Sequence, residues 1–383
     1  MTDDLLIFEA GEGARLRATG TSRGVDPIRL EYLCRILELD PDKLARNTTG
    51  VHFKVCLMGA LALPLVINPG NVSSCYLVSS EAHYVKYCRE ELRKFDSWDA
   101  TLFSAFIAIF GAIARLLSFN RTVFINNWLL STSPRAELSR ELVQRLTGGL
   151  VRRFGDYALV FKAVGEGDHG MREAFTSSGW QLVAHRPVHW WEPERRSGKQ
   201  RRTLARDWRS LEASGLRIET AAPTEIAGHV ARFAELYRAL YIDKHSSLNP
   251  WYTSEFFQIV IGCGLCQAAH VLQGETSVGF QTTFVDGDVV VLSVVGFDPK
   301  LDRRRYPVYR GLMAHGMRLG LSSRRKVFLS TGAASFKLNR GSYESIEHEA
   351  IHVAHLPVHR RLPWNIATLA YNSAAQALDT TRL

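Results

Sequence analysis

The sequence has no long hydrophobic run. Its most apolar stretch, LFSAFIAIFGAIA at 102–114, is closed by Arg115 and falls short of the ~20 residues a helix needs to cross a bilayer. That predicts a buried core helix and no membrane span. A secretory leader is not expected either. Asp3 and Asp4 stand where a leader carries Lys or Arg, and no cleavable apolar stretch follows. Cysteine is scarce, six in 383 residues and scattered. That excludes a disulfide framework and fits free thiols in a reducing cytoplasm. Cys263, Cys266 and His270 lie close together, but no second cysteine pair follows at zinc spacing, so no metal is expected there. Glycine, proline and charge are not in excess, which excludes wholesale disorder.

What is present is enough for two domains of ordinary size with sizeable cores, at 383 residues and 46% hydrophobic. The formal charge of +9 favours anionic partners: phosphates, nucleic acid or a membrane surface.

The order of elements repeats. In the second half QAAHVL, SVGFQTTFV and DVVVLSVVGF read as strands, joined by hairpin chemistry at Gly274-Glu275 and Asp286-Gly287. RYPVYRGLMAHGMRLG follows as a helix, with Val308, Leu312 and Leu319 on one face. Then come the strand KVFLS, a short helix with Lys337, and the strand HEAIHVAHL. The first half reads RTVFINNWLL as a strand, then a helix with Leu138, Leu142, Leu146 and Leu150 at steps of four. YALVFKAV, the short helix GMREAFTSSG ending at Gly179, and WQLVAHRPVHWW complete it. Strand, long helix, strand, short helix, strand, twice over, predicts two similar α/β domains. The expected limits are an N-terminal cap at 1–49, helical from PIRLEYLCRILELD, domains at 50–191 and 216–360, and a tail at 361–383. The basic stretch 192–215, with Arg195, Arg196, Lys199, Arg201, Arg202, Arg206 and Arg209, joins them. It is read as a solvated linker helix or as a contact for a polyanion such as tRNA.

The stretches KQRRTLARDWRSLEASGLRIE, LYRALYIDKHSSLNP, GFDPKLDRRRYPVYRGLM and STGAASFKLNRGSYES, with NNWLLST and HRPVHWW in the first half, carry a resemblance. In their order and spacing the chain resembles the Fem-type branch of the GNAT superfamily, over roughly residues 50–360. The resemblance implies two tandem GNAT folds, mixed sheets flanked by helices and joined by a basic linker helix. It implies acyl or aminoacyl transfer to an amine acceptor, with acyl-coenzyme A or aminoacyl-tRNA as co-substrate. The donor's carbonyl would enter between two splayed parallel strands, VVVLSVV and KVFLS, and its phosphates would meet the N-terminus of the helix between them. The phosphate loops depart from the family pattern. DRRRYPVYRG and LSTSPRAE lack its glycines, so Arg303, Arg304 and Arg305 are candidates to hold phosphate through side chains.

Lys337, on a short helix after the small residues Gly332, Ala333 and Ala334, is a candidate to hold an anionic group in the cleft, with Ser335 and Arg340 beside it. The turn YIDKHSSLNP offers His245 or Asp243 as proton acceptor from an attacking amine, with Asn249 in the same wall. Asn127 and Trp128 are placed at the mouth of the first-half cleft. Glu347, His348 and Glu349 alternate along a strand, so the two carboxylates share a face without the imidazole and no metal is expected. No Ser or Cys stands in a nucleophile motif, which favours direct attack. The competing expectation is a non-catalytic RNA-binding or scaffold protein that retains a degenerate fold. The acyl group, the acceptor and the oligomeric state leave no mark on the sequence.

Overall fold

Hydrophobic strands from both halves of the chain pair into one sheet. The structure is a computed structural model and describes residues 5–72, 75–92, 98–221 and 226–380; Asp3 and Asp4 lie outside them. In the first half run β1 (Leu6–Phe8), β2 (His52–Met58), β3 (Leu61–Pro69), β4 (Arg121–Ile125), β5 (Ala158–Gly165) and β6 (Gln181–Trp191). In the second run β7 (Leu216–Ala221), β8 (Gln267–Gln273), β9 (Thr276–Asp286), β10 (Val289–Phe297), β11 (Lys326–Phe328) and β12 (Ser342–His352). The order across the sheet is β1-β2-β3-β4-β5-β12-β6-β11-β10-β9-β8-β7. Counted inward from either edge, the fourth and fifth strands are parallel, β4 with β5 and β10 with β11. The other pairings are antiparallel.

The repeat read from the sequence is therefore a structural one, with an exchange that the sequence does not announce. β12, the last strand of the second half, fills the slot between β5 and β6. β6, the last strand of the first half, fills the slot beside β11. The ladder of Ser342–Ile351 against Gln181–Trp191 welds the halves together.

The helices are α1 (Gly13–Ser22), α2 (Pro27–Leu37), α3 (Pro41–Leu44), α4 (Cys88–Leu92), α5 (Trp98–Leu116), α6 (Arg140–Arg153), α7 (His169–Ser177), α8 (Gly198–Ala213), α9 (Val230–Tyr237), α10 (Ser254–Gly262), α11 (Val308–Ser323), α12 (Ala334–Leu338) and α13 (Val358–Thr380). Local chemistry sets several starts. Asp26 accepts from the Arg29 N–H with Pro27 in the first turn of α2, Ser139 caps α6, and Ser197 with Gln200 forms a capping box on α8. α6 buries Val143, Leu146 and Leu150 on the first half's sheet. α8 and α11 bury Leu204, Leu211, Leu312 and Met317 on the second half's. A third core runs across both halves, from Phe8, Tyr32 and Trp128 to Phe233, Phe256 and Phe280.

Three expectations are corrected. The described part of the expected 1–49 cap holds α1, α2 and α3 but also supplies the sheet's edge strand β1, paired to β2. The segment read as a tail is α13, anchored because buried Trp364 packs 4.3 Å from the Phe119 ring. The apolar stretch 102–114 is helical, but α5 is not buried all round. Ile107, Gly111 and Ala114 face inward while Phe106, Ile109, Ile113 and Leu116 are exposed. α5 packs on α4 and α13 rather than on the sheet, so its outer face stays open.

Candidate active site

β10 and β11 are hydrogen-bonded neighbours only from Val289 to Val291 against Lys326 to Phe328. Beyond that point they separate. β10 bulges against β9 between Leu292 and Val295, and the Val294 N–H turns onto Thr282 Oγ1 at 3.0 Å. On the other side Ser330, Gly332 and Ala333 all adopt positive φ. Two non-glycine residues in the left-handed region within four positions hold a backbone that sterics disfavour. The winding aims α12 back at the gap. Between the diverging strands opens a cleft of about 440 Å³, lined by Leu292–Val295, Leu329–Ala333 and Lys337. The first half contributes Tyr76, Tyr87, Glu91, Ser131 and Arg186 to its wall.

Lys337 is almost wholly buried. Its Nζ donates to the carbonyl of Ser330 at 3.1 Å and to that of Thr331 at 2.7 Å. Burial, with the neighbouring charge of Arg186 second, pushes its pKa down to about 7. The amine is thus divided between its two forms near neutral pH, with two of its donors engaged and the remaining position free. Arg186 Nε donates to Glu347 at 2.8 Å and its Nη2 to the Ser131 carbonyl at 2.5 Å. Burial holds the phenols of Tyr76, Tyr237, Tyr241 and Tyr309 above their usual range, so the cleft presents neutral hydroxyls beside cations.

The sequence candidates divide. Lys337, His245, Asn249 and Arg303 line this cleft. His245 sits exposed at the rim, its ring 6.0 Å from Tyr241. Asn249 is mostly spent on its own turn, donating to the carbonyls of Tyr241 and Ser246 at 3.2 and 3.0 Å. Arg303 also borders a second cavity of about 280 Å³ that opens at the start of α11 beside Pro307, Val308, Tyr309 and Arg310. Arg304 and Arg305 line neither cavity; Arg305 lies over the Tyr306 ring at 5.1 Å. Asp243 is exposed and faces Arg238 at 3.5 Å rather than the cleft. Ser335 is exposed outside it. Arg340 is engaged within the fold: its Nε donates to buried Asp207 at 2.6 Å and its Nη1 to the Phe336 carbonyl at 2.8 Å, tying α12 to α8.

Asn127 and Trp128 are likewise buried and engaged within the fold. Where β4 ends, Asn126 takes φ +59° and donates to the carbonyls of Pro134 and Lys162. Trp128 Nε1 donates to Asn126 Oδ1 at 2.7 Å, and the ring stacks on Tyr32. Asn127 Nδ2 donates to the Leu77 carbonyl at 2.7 Å.

Sequence reasoning missed Arg186 and a buried cluster behind it. Lys162 Nζ lies 2.9 Å from Glu349 Oε1, and Tyr84 donates to the other oxygen. Burial pushes Glu349 up, but the Lys162 charge and hydrogen bond together with His185 and His83 outweigh it and hold Glu349 well below the usual carboxylate range. His83 and His185 stand beside it with rings 4.6 Å apart; burial lowers both, His83 to about 4. Glu349 and the two imidazoles bring ligand atoms within 4.8 Å of one another. The Lys162 ammonium already supplies the cation the carboxylate needs, which argues against a metal ion in the same place. The signals available were the charged residues Arg186 and Lys162 inside otherwise apolar strands.

Comparison with known proteins bears on the segment that builds the cleft. Residues 198–337 match the family described as an acetyltransferase (GNAT) domain. The likeness to that family lies in this segment. No curated protein matches the sequence. Among solved structures, FemX aligns over 94% of this chain and 100% of its own with a TM-score of 0.50 at 8% identity. A tandem GNAT protein from the clavulanic acid biosynthesis pathway aligns over 90% and 98%, with a TM-score of 0.41 at 13% identity. The C-terminal domain of a putative lysylphosphatidylglycerol synthetase from Agrobacterium fabrum aligns over 77% and 97%, with a TM-score of 0.47 at 12% identity. At such identities the likeness to FemX is one of fold. The chain shares with FemX a fold built on a large mixed sheet flanked by helices, and the match of 198–337 to the GNAT family supports a transferase.

Proposed function

We propose that the chain moves an acyl or aminoacyl group from an activated donor to the amine of a small molecule or precursor, in the cleft between β10 and β11. The observation that carries this reading is Lys337, buried where the parallel strands part and pushed down to about 7. A general base works best when its pKa lies near the working pH. In its neutral form Lys337 takes the proton of the incoming ammonium. The freed amine attacks the donor carbonyl, a C–N bond forms, and the bond to the coenzyme A sulfur or the tRNA ribose oxygen breaks, the leaving group taking a proton. His245 at the rim is a second proton carrier, and Asp243 is too far outside the wall to share the task.

The donor's phosphates fit the cavity at the start of α11, where unpaired N–H groups and the helix dipole favour anions and Arg303 stands on the border with the main cleft. The outer face of α8 leaves Lys199, Arg201, Arg202, Arg206 and Arg209 exposed, which supports aminoacyl-tRNA as donor alongside acyl-coenzyme A. We place the reaction in the cytoplasm. The test is incubation with pooled acyl-coenzyme A esters, or with charged tRNA, and an amine library, read by mass spectrometry. A new amide formed by the wild type and not by Lys337→Ala is the expected result. Salt-sensitive RNA binding with no transfer from either donor would replace this reading with the scaffold one.

A further inference from the structure

The exposed face of α5 is unusual in what it lacks. From Ser104 to Ala114 the helix carries no charged residue. Phe106, Ile109, Ile113 and Leu116, spaced by three, four and three, form one outward stripe. α13 packs against α5 and adds Val358, Leu362 and Leu369 at steps of four and seven. These seven side chains are each between 50% and 85% exposed. Twelve large hydrophobic side chains are exposed among the described residues, so more than half of them fall on two adjoining helices. Side chains so exposed on two adjoining helices exceed the scattered single hydrophobics that a monomer surface normally carries.

The charges at the edge of this face have one sign in excess. Arg115 is paired with Glu81, and Arg121 with Asp156 at 3.3 Å. Arg360 and Arg361 have backbone carbonyls as partners instead: Arg360 those of Asp156 and Ser118, Arg361 that of Leu356. Arg360 shares the one carboxylate of Asp156 with Arg121, so positive charge is in excess beside the start of the apolar stripe on α13. A symmetric pairing with a second copy would bring two such positive edges to one interface, whereas an anionic bilayer meets both features at once, acyl chains under the stripe and lipid phosphates at the guanidiniums. Neither helix is long and apolar enough to cross a membrane.

We infer that the α5–α13 face docks the protein on an anionic lipid surface, with α5 lying in the plane of the interface. The segment that α5 packs against, from Ala82 to Leu92, is the one that lends Tyr87 and Glu91 to the cleft wall. Docking therefore brings the wall of the cleft that carries Tyr87 and Glu91 toward the bilayer.

The full chain is tested by flotation with vesicles of phosphatidylglycerol and phosphatidylcholine in equal parts, and with phosphatidylcholine alone. The wild type is expected to float with the mixed vesicles, to be released as salt is raised, and to ignore the neutral ones. Ile109→Glu with Leu116→Glu should weaken partition by at least about tenfold, with circular dichroism and melting unchanged, because both side chains are exposed. Arg360→Gln with Arg361→Gln should remove the salt dependence. No partition into the mixed vesicles overturns the inference. If sedimentation then shows a dimer that the Ile109→Glu, Leu116→Glu variant converts to monomer, a second copy is the occupant instead.

Discussion

Lys337 concentrates the account in one side chain. Its position on a short helix after three small residues was legible in the sequence. Its two carbonyl partners, Ser330 and Thr331, were not, because they depend on a backbone wound through positive φ at Ser330 and Ala333. Its pKa has a consequence for stability. The folded-state value of about 7 lies below the ordinary 10.5, so between those pH values the unfolded chain binds a proton that the folded one does not. Stability from this group rises as pH climbs from about 7 to about 10.5 and is lost as pH falls through the same window. Urea titrations of wild type and Lys337→Met across that range should show the wild type gaining on the variant; a constant difference would mean the ammonium is not desolvated. Arg186, Glu349 and Lys162 escaped the sequence because their partners are remote: Lys162 and Glu349 stand 187 positions apart, and no local pattern links them.

At the level of elements, periodicity served well and surroundings did not. The steps of four through Leu146 and Leu150 marked α6, and the hairpin residues Gly274 and Gly287 marked the turns, each at positive φ. The run 102–114 gave a helix, but hydrophobicity alone does not tell a buried helix from one whose outer face awaits a partner. Arg340 looked like a ligand because it follows Lys337, yet it joins α12 to α8 through Asp207. Asp207→Ala should cost about 3–5 kcal/mol in chemical denaturation, since it strands a buried guanidinium. A loss under about 1 kcal/mol would mean that Arg340 finds water or another partner. The three arginines before α11 also part company. Arg303→Ala should weaken donor binding about tenfold or more, the scale of a lost charge-assisted hydrogen bond of ~1.5–3 kcal/mol. Arg304→Ala and Arg305→Ala should change it little, because neither side chain reaches a cavity. Equal losses from all three in a binding titration would move the phosphate site onto the exposed turn.

For the whole molecule, the repeated order of elements made two α/β halves legible, while the exchange of β6 and β12 was invisible, since strand partners across 150 residues are set by the closing of the sheet. We place the division between the halves within 192–215, and limited proteolysis should cut first around 194–197, where the chain is exposed between β6 and α8. The two fragments are expected to stay together on a sizing column, because β6 and β12 remain paired; separation into independent folded pieces would contradict the exchange. The two halves differ at the ends of their parallel strands: a cleft opens beside β10, while Asn126 and Trp128 are hydrogen-bonded to each other beside β4. The measurement that tests this most directly is the pH dependence of kcat for amide formation by the wild type, beside kcat of Lys337→Ala. The rate should rise through a group of pKa about 7 and level off above it, and the variant should lose about 10²- to 10⁴-fold with its melting curve intact. A flat profile together with wild-type turnover by Lys337→Ala would contradict the assignment of this cleft as the catalytic centre.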